Sequence, residues 1–213
     1  ARSSSTRWWV TITAAVVPAW DRVAVMRSIV PPVLSYTMLA MAVKGIEEMW
    51  APFGISVQVG ELTLRVLRDS DIAAIHGVSA AAIFGEPLPE YTFPWLKEKP
   101  DPSFRWAHRA QMSPEEWSLD FGVHLDGEII GSVDLRAKNF PDNHEVVTGS
   151  WIYHHLQGRG IGTQIRHAVA VFCFDYLGAR QLRSEWEPGN EESQAVSRKL
   201  GYTCLLYTSN AAD

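Results

Sequence analysis

The sequence has 213 residues, 46% hydrophobic and 20% charged, with a net charge of −5 and two cysteines. This length supports one ordinary domain with a sizeable core, and the acid excess argues against a surface built to neutralise nucleic-acid phosphates. Cys173 and Cys204 are too few for a disulfide framework and lack zinc-ligand spacing, which points to a reducing, cytoplasmic setting and implies no metal.

Residues 1–56 read as an N-terminal appendage. Residues 1–60 carry five Lys/Arg against three Asp/Glu (+2), leaving 14 against 21 (−7) for the rest. They also hold four of the nine tryptophans and show no clear helix or strand period. Their most apolar stretch, 23–43, is interrupted by Arg27 and by Pro31-Pro32, so it falls short of the ~20 apolar residues a spanning helix needs. No membrane partner is expected, and these residues are expected to stay out of the sheet and away from the functional site.

From Glu61 the pattern changes. Leu62, Leu64 and Val66 alternate with Thr63 and Arg65, as in a strand with one buried face. Asp69 or Ser70 can cap a helix over 71–81 that carries Ile72 and Ile75. Pro87, Pro89, Pro94 and Pro100 make 84–101 a loop of the length that often shapes a binding site. A short helix over 104–112, capped by Ser103, leads to strands at 117–125 and 128–135 joined by Asp126-Gly127, a strong hairpin signal. A strand at 146–153, a long amphipathic helix at 158–177, a strand at 181–186 and a helix at 191–200 stopped by Gly201 complete a mixed α/β chain.

Between the third antiparallel strand and the long helix stand Gln157, Gly158, Arg159, Gly160, Ile161 and Gly162. Glycines at alternate positions uncover backbone N–H groups, and the helix start adds the positive end of its dipole. The run therefore suits a phosphate or pyrophosphate, with Arg159 as an ionic contact. A Walker loop needs Gly-Lys-Ser/Thr where Gly162 is followed by Thr163 and Gln164, and a dinucleotide fingerprint needs a glycine where Thr163 stands. Neither fits. The bland alternatives are a tight turn without ligand for the glycines, an N-cap and a first-turn residue for Asn190 and Ser193, and strand-end polar residues for His154 and His155.

The run 157–162 resembles the Q/R-x-x-G-x-G/A pyrophosphate loop of the GNAT superfamily of acetyl-CoA-dependent N-acetyltransferases. Asn190, Glu191, Glu192 and Ser193, continuing to Lys199, Leu200, Gly201 and Tyr202, resemble the N-x-x-S … K-L-G-F/Y helix of its RimJ/RimL-like branch. Residues 62–72 (LTLRVLRDSDI) and 127–135 (GEIIGSVDL) are similar to that branch's first strand and helix and to its central hairpin. The resemblance implies a GNAT domain over 57–203, of α/β (α+β) class, with a mixed, mostly antiparallel central sheet flanked by helices. It implies acetyl transfer from acetyl-CoA to a primary amine, a protein N-terminus or a small amine, by direct attack. A non-catalytic acyl-CoA-binding relative is the alternative.

Carried over by residue, the resemblance has Trp151, Ile152 and Tyr153 bond the pantetheine arm. Gln157, Gly158, Arg159, Gly160, Ile161 and Gly162 hold the pyrophosphate, with Asn190 also at the coenzyme. Ser193 serves the departing thiolate, and Glu185, with Glu187 close by, is the nearest acid for the amine proton. The branch continues after Tyr202 through two strands that complete its sheet, whereas 204–213 (CLLYTSNAAD) is a tail without likeness to them. Those strands are thus expected to be missing or replaced. The expected partners are acetyl-CoA and an amine acceptor, with no nucleic acid, and the oligomeric state, a homodimer included, stays open.

Overall fold

The computed structural model describes residues 8–13, 36–38, 50–90 and 101–205. Among them, nine strands make one sheet: β1 (Trp8–Thr13), β2 (Tyr36–Met38), β3 (Ser56–Val59), β4 (Leu62–Val66), β5 (Glu116–Leu125), β6 (Glu128–Lys138), β7 (Glu145–Ile152), β8 (Gln181–Trp186) and β9 (Thr203–Leu205). Their order is β2-β3-β4-β5-β6-β7-β8-β1-β9. Neighbours run antiparallel except β7 and β8, which are parallel. The mixed, mostly antiparallel sheet expected from the sequence is present.

Helix α1 (Asp69–Ile75) begins earlier than the capping pattern places it, because Asp71 acts from inside the first turn, its Oδ2 accepting the Arg68 N–H at 2.8 Å. Gly77, at φ +78°, turns the chain, and a second short helix, α2 (Ala80–Phe84), starts where Ser79 Oγ accepts the Ala82 N–H. The single helix expected over 71–81 is therefore two. Helix α3 (Ser103–Ala110) follows, and residues 91–100 of the expected proline-rich loop lie outside the described residues. After a helical turn, α4 (Phe140–Asn143), comes α5 (Ile161–Val171), which passes into a π-helical turn at Phe172–Tyr176 closed by Leu177 N–H on Phe172 O. The long helix expected over 158–177 is thus shorter at both ends. Helix α6 (Glu191–Lys199) is the last.

Alternation fixes the two faces of the sheet. Leu64, Phe121, Val133, Leu135, Val146 and Leu182 are buried on one face, where α5 lays Ile165, Ala168 and Val169 against them and Phe121 meets Phe172 edge to face at 5.8 Å. On the other face Leu67, Ile72 and Ile75 pack under α1 with Ile129 and Trp151. A polar layer adjoins that smaller cluster: Asp71 accepts from Arg65 Nη2 at 2.8 Å and lies 3.3 Å from His124 Nε2, while His124 Nδ1 lies 3.2 Å from Gly122 O. Among the described residues no helix is long and apolar enough to cross a membrane.

The expectation that residues 1–55 stay out of the sheet is wrong. β1 pairs with β8 over its whole length, from Trp8 opposite Trp186 to Thr13 opposite Gln181, and β9 pairs with the far side of β1. β2 adds to β3 at the opposite edge. The physical reason is the edge that β8 would otherwise present: a row of unpaired backbone groups beside the parallel pair. The run WWVTIT, aromatic and β-branched throughout, has high strand propensity, but it is only six residues long and opens on two apolar residues in a row, so its period is weak. The places beyond β8 are filled from both ends of the described chain, and β9 takes its last two residues from the tail.

Candidate active site

The parallel pair β7 and β8 is registered only from Glu145 opposite Gln181 to Thr148 opposite Ser184. Both strands continue, to Ile152 and Trp186, but no longer pair with each other. They part, and β7 stays registered with β6 through Ile152 opposite Gly131, its next residue Tyr153 giving its N–H to Ile130 O at 3.1 Å. Backbone groups in a strand alternate sides. With Tyr153 and Trp151 turned to β6, the N–H and C=O groups of Ser150 and Ile152 face the gap. Of the three strand residues named from the resemblance, Ile152 thus turns its N–H to the gap, while its carbonyl accepts the Gln157 side-chain amide at 3.2 Å. Trp151 and Tyr153 flank it with their rings, 5.5 Å apart, and burial pushes the Tyr153 phenol up.

The gap opens toward the glycine run. Gly158 and Gly160 adopt φ +75° and +81°, and no atom lies within 4 Å of where a Cβ would stand at either. The first helical bond of α5 is Gln164 N–H to Gly160 O, and Gln157 N–H already bonds His154 O. Among the described residues, no backbone carbonyl takes the N–H groups of Gly158, Arg159, Gly160, Ile161, Gly162 and Thr163. That leaves a set of donors without backbone partners at the positive end of an 11-residue helix, with Gly158, Arg159 and Gly160 exposed among them. Gln157 acts on the loop itself, its side-chain amide donating to Ile83 O at 2.7 Å and Ile152 O at 3.2 Å and so tying the end of α2 and the end of β7 together there. His154 rests its ring on Gly85, and His155 stacks on Tyr153 at 5.9 Å.

After β8, Asn190 caps α6, its Oδ1 accepting the Ser193 N–H at 3.0 Å. Ser193 lies half-buried on the first turn, its carbonyl accepting from Ser197 Oγ at 2.9 Å and from Arg166 Nη1 at 3.4 Å. Arg166 is buried, donates also to Ser197 Oγ at 2.9 Å, and lies 4.8 Å from the Tyr202 ring centre, whose phenol burial pushes up. These contacts clamp α6 to α5. Glu185 is half-buried on β8 with Trp9 as its cross-strand neighbour, at the level where β7 and β8 part.

One acid at this level is not singled out by the sequence pattern. Asp134 on β6 stands between Asp120 of β5 and Gly149 of β7, and its Oδ1 lies 2.7 Å from where a Gly149 Cβ would stand. Burial pushes its carboxyl up to about 6, with Asp120 adding to the rise and Arg136 and Arg105 opposing it. An acid in the middle of an apolar strand run (GEIIGSVDL) is the available signal, but its nearness to Gly149 follows only from register.

The profile of the family described as acetyltransferase (GNAT) domain matches residues 61–203. The Bacillus subtilis protein YdaF, named as a ribosomal N-acetyltransferase, is 25% identical over 116 residues, 51% of this chain and 62% of that protein, so the match spans about three fifths of its length. Mycobacterium smegmatis RimJ, solved in complex with CoA-disulfide, is 24% identical with a TM-score of 0.54, covering 67% of this chain and 69% of that one. A chimera of the Vibrio cholerae spermidine N-acetyltransferase SpeG with hSSAT is 18% identical with a TM-score of 0.53, covering 68% and 81%. At these identities the two solved structures speak for the fold.

Proposed function

The chain belongs to the GNAT acetyltransferase family, and from that premise we propose that it transfers the acetyl group of acetyl-CoA to a primary amine, by direct attack of the neutral amine on the thioester carbonyl. The observation that carries this reading is the parting of β7 from β8 beyond Thr148 and Ser184, in a gap that leads to the open amides at the start of α5. An extended, amide-bearing arm enters such a gap as an added strand, bonding Ser150 and Ile152. Its pyrophosphate then falls on the N–H groups of 158–163, with Arg159 as counter-charge. Gln157 serves by holding the loop, and Asn190 by fixing the first turn of α6.

With the arm seated, its thioester end lies deepest, where the two strands close. Ser193 reaches that end from the first turn of α6 and stabilises the departing thiolate. A backbone N–H of β7 stabilises the oxyanion, a donor that need not reorganise as charge develops. The acceptor is a protein amino terminus or a small amine, in keeping with relatives named for ribosomal and spermidine acetylation. The test is calorimetric binding of acetyl-CoA followed by thiol release in the presence of amines. Binding with amine-dependent release supports the reading, binding without release favours the non-catalytic acyl-CoA binder, and absence of binding rejects both.

A further inference from the structure

We propose that Asp134 is the proton acceptor for the attacking amine, a role that rests on the acyl-transfer reading of the gap. The register places it. Thr148 opposite Ser184 is the last β7–β8 pair, so Gly149 is the first β7 residue beside the open gap, and Gly149 is the residue opposite Asp134. The absence of a side chain at Gly149 lets the carboxylate lie flat on β7, with Oδ1 2.7 Å from the place a methyl would take. An arm that starts at the pyrophosphate loop and runs back along β7 past Ile152 and Ser150 ends at Gly149, three residues or about 10 Å from Ile152. The carbonyl to be attacked therefore arrives beside this carboxylate.

Asp134 pairs with one arginine through Oδ2 and keeps Oδ1 over Gly149. About a third of the Asp134 side chain (34%) reaches solvent, and Arg136 Nε forms an ion pair with Oδ2 at 2.9 Å. Arg105 is committed to Asp120 at 2.9 Å, and on the β8 side Arg183 is paired with Glu145 at 3.1 Å. Asp120, the cross-strand neighbour on the same face, discourages ionisation of Asp134. A carboxyl pushed up to about 6 is mostly ionised at neutral pH and is a stronger base than an ordinary aspartate, which suits it to take a proton from an ammonium group.

The step balances. Asp134 takes one proton from R–NH3+ and passes it to water, and the freed lone pair forms the C–N bond. The tetrahedral adduct expels the thiolate with the C–S electron pair, and the second N–H proton, made acidic in the adduct, neutralises the thiolate through the Ser193 hydroxyl. The products are the amide, the free coenzyme thiol and one proton in water.

The test uses the full chain, acetyl-CoA, and two acceptor amines, a serine-initiated peptide and spermidine. Acetyl-CoA affinity of Asp134→Asn should stay within about twofold of the parent, while kcat/KM for the amine falls about 10²-fold or more. The parent's rate should decline below pH about 6, and this acid limb should vanish in the variant. Gly149→Ala, which drives the carboxylate off β7, should lower the rate and move the limb. An acid limb that persists unchanged in Asp134→Asn belongs to another group and overturns the proposal alone. Absence of acetyl-CoA binding, or binding with neither amine turned over, overturns the acyl-transfer reading and this proposal with it.

Discussion

Replacing Gly160 separates two costs that act on different measurements. The residue holds φ +81° at the start of α5, and no atom lies within 4 Å of its missing Cβ, so a side chain there meets no clash. A non-glycine residue in the left-handed region costs about 1–2 kcal/mol, with aspartate tolerating it better than alanine. That cost falls on folding. A carboxylate at this place also faces the coenzyme's diphosphate, and at about 5 Å with an effective dielectric of about 20, two unit charges repel by about 3 kcal/mol. Solvent and salt at this exposed loop reduce the repulsion to about 1–2 kcal/mol, or about 5- to 30-fold in Kd. Gly160→Ala should therefore melt earlier while keeping most of its acetyl-CoA affinity. Gly160→Asp should lose affinity beyond the alanine variant, and the loss should shrink as salt is raised. Titration calorimetry at two ionic strengths reads both effects, and a Gly160→Asp protein with the parent's Kd at low salt would refute the anion site.

Gln157→Leu removes both donors that join Ile83 O and Ile152 O, and should cost about 1–3 kcal/mol in urea unfolding together with weaker acetyl-CoA binding. Thr11→Pro deletes a backbone donor in the strand that pairs with Arg183 on one side and Thr203 on the other; a stability loss of at least about 1 kcal/mol is expected, and none would mean that β1 is not part of the sheet. Ser193→Ala should lower kcat about 10-fold or more with little change in KM for acetyl-CoA, because its bond strengthens only as thiolate charge develops. Asp134 titrates at about 6 in the fold against about 3.9 in an unfolded chain. Its charge is thus disfavoured by folding: stability is greatest below pH about 4, falls as pH rises through about 6, and levels above. Asp134→Asn should be more stable than the parent at pH 7.5 and indistinguishable from it at pH 4.

Local signals in this chain are legible where they are short and repeated. Asp126-Gly127 marks the β5–β6 turn, alternation of Leu62, Leu64 and Val66 marks β4, and Gln181–Trp186 is a strand as read. The glycine run is legible because exposing backbone N–H groups needs the residue type itself. Ser56–Val59 is hard to see only because its alternation, with Val57 and Val59 buried, spans four residues. β1 is not legible at all, since what makes it a strand is the partner edge of β8, some 170 residues away in sequence. Asn190 and Gln157 read by resemblance as coenzyme contacts, yet both spend their side chains on protein backbone. Asp134 is invisible for a third reason: its position over Gly149 is set by cross-strand register, which a one-residue slip would reverse.

The measurement that bears most directly on the acyl-transfer site is amide hydrogen exchange of the full chain with and without coenzyme A. If the gap between β7 and β8 takes the pantetheine arm and the loop takes the pyrophosphate, then the amides of Ser150 and Ile152 and those of Gly158 to Thr163 should slow on addition of coenzyme. Trp151 and Tyr153, already bonded toward β6, should change little. Coenzyme binding that protects other amides and leaves the gap and the loop exchanging as before would contradict the placement of the coenzyme.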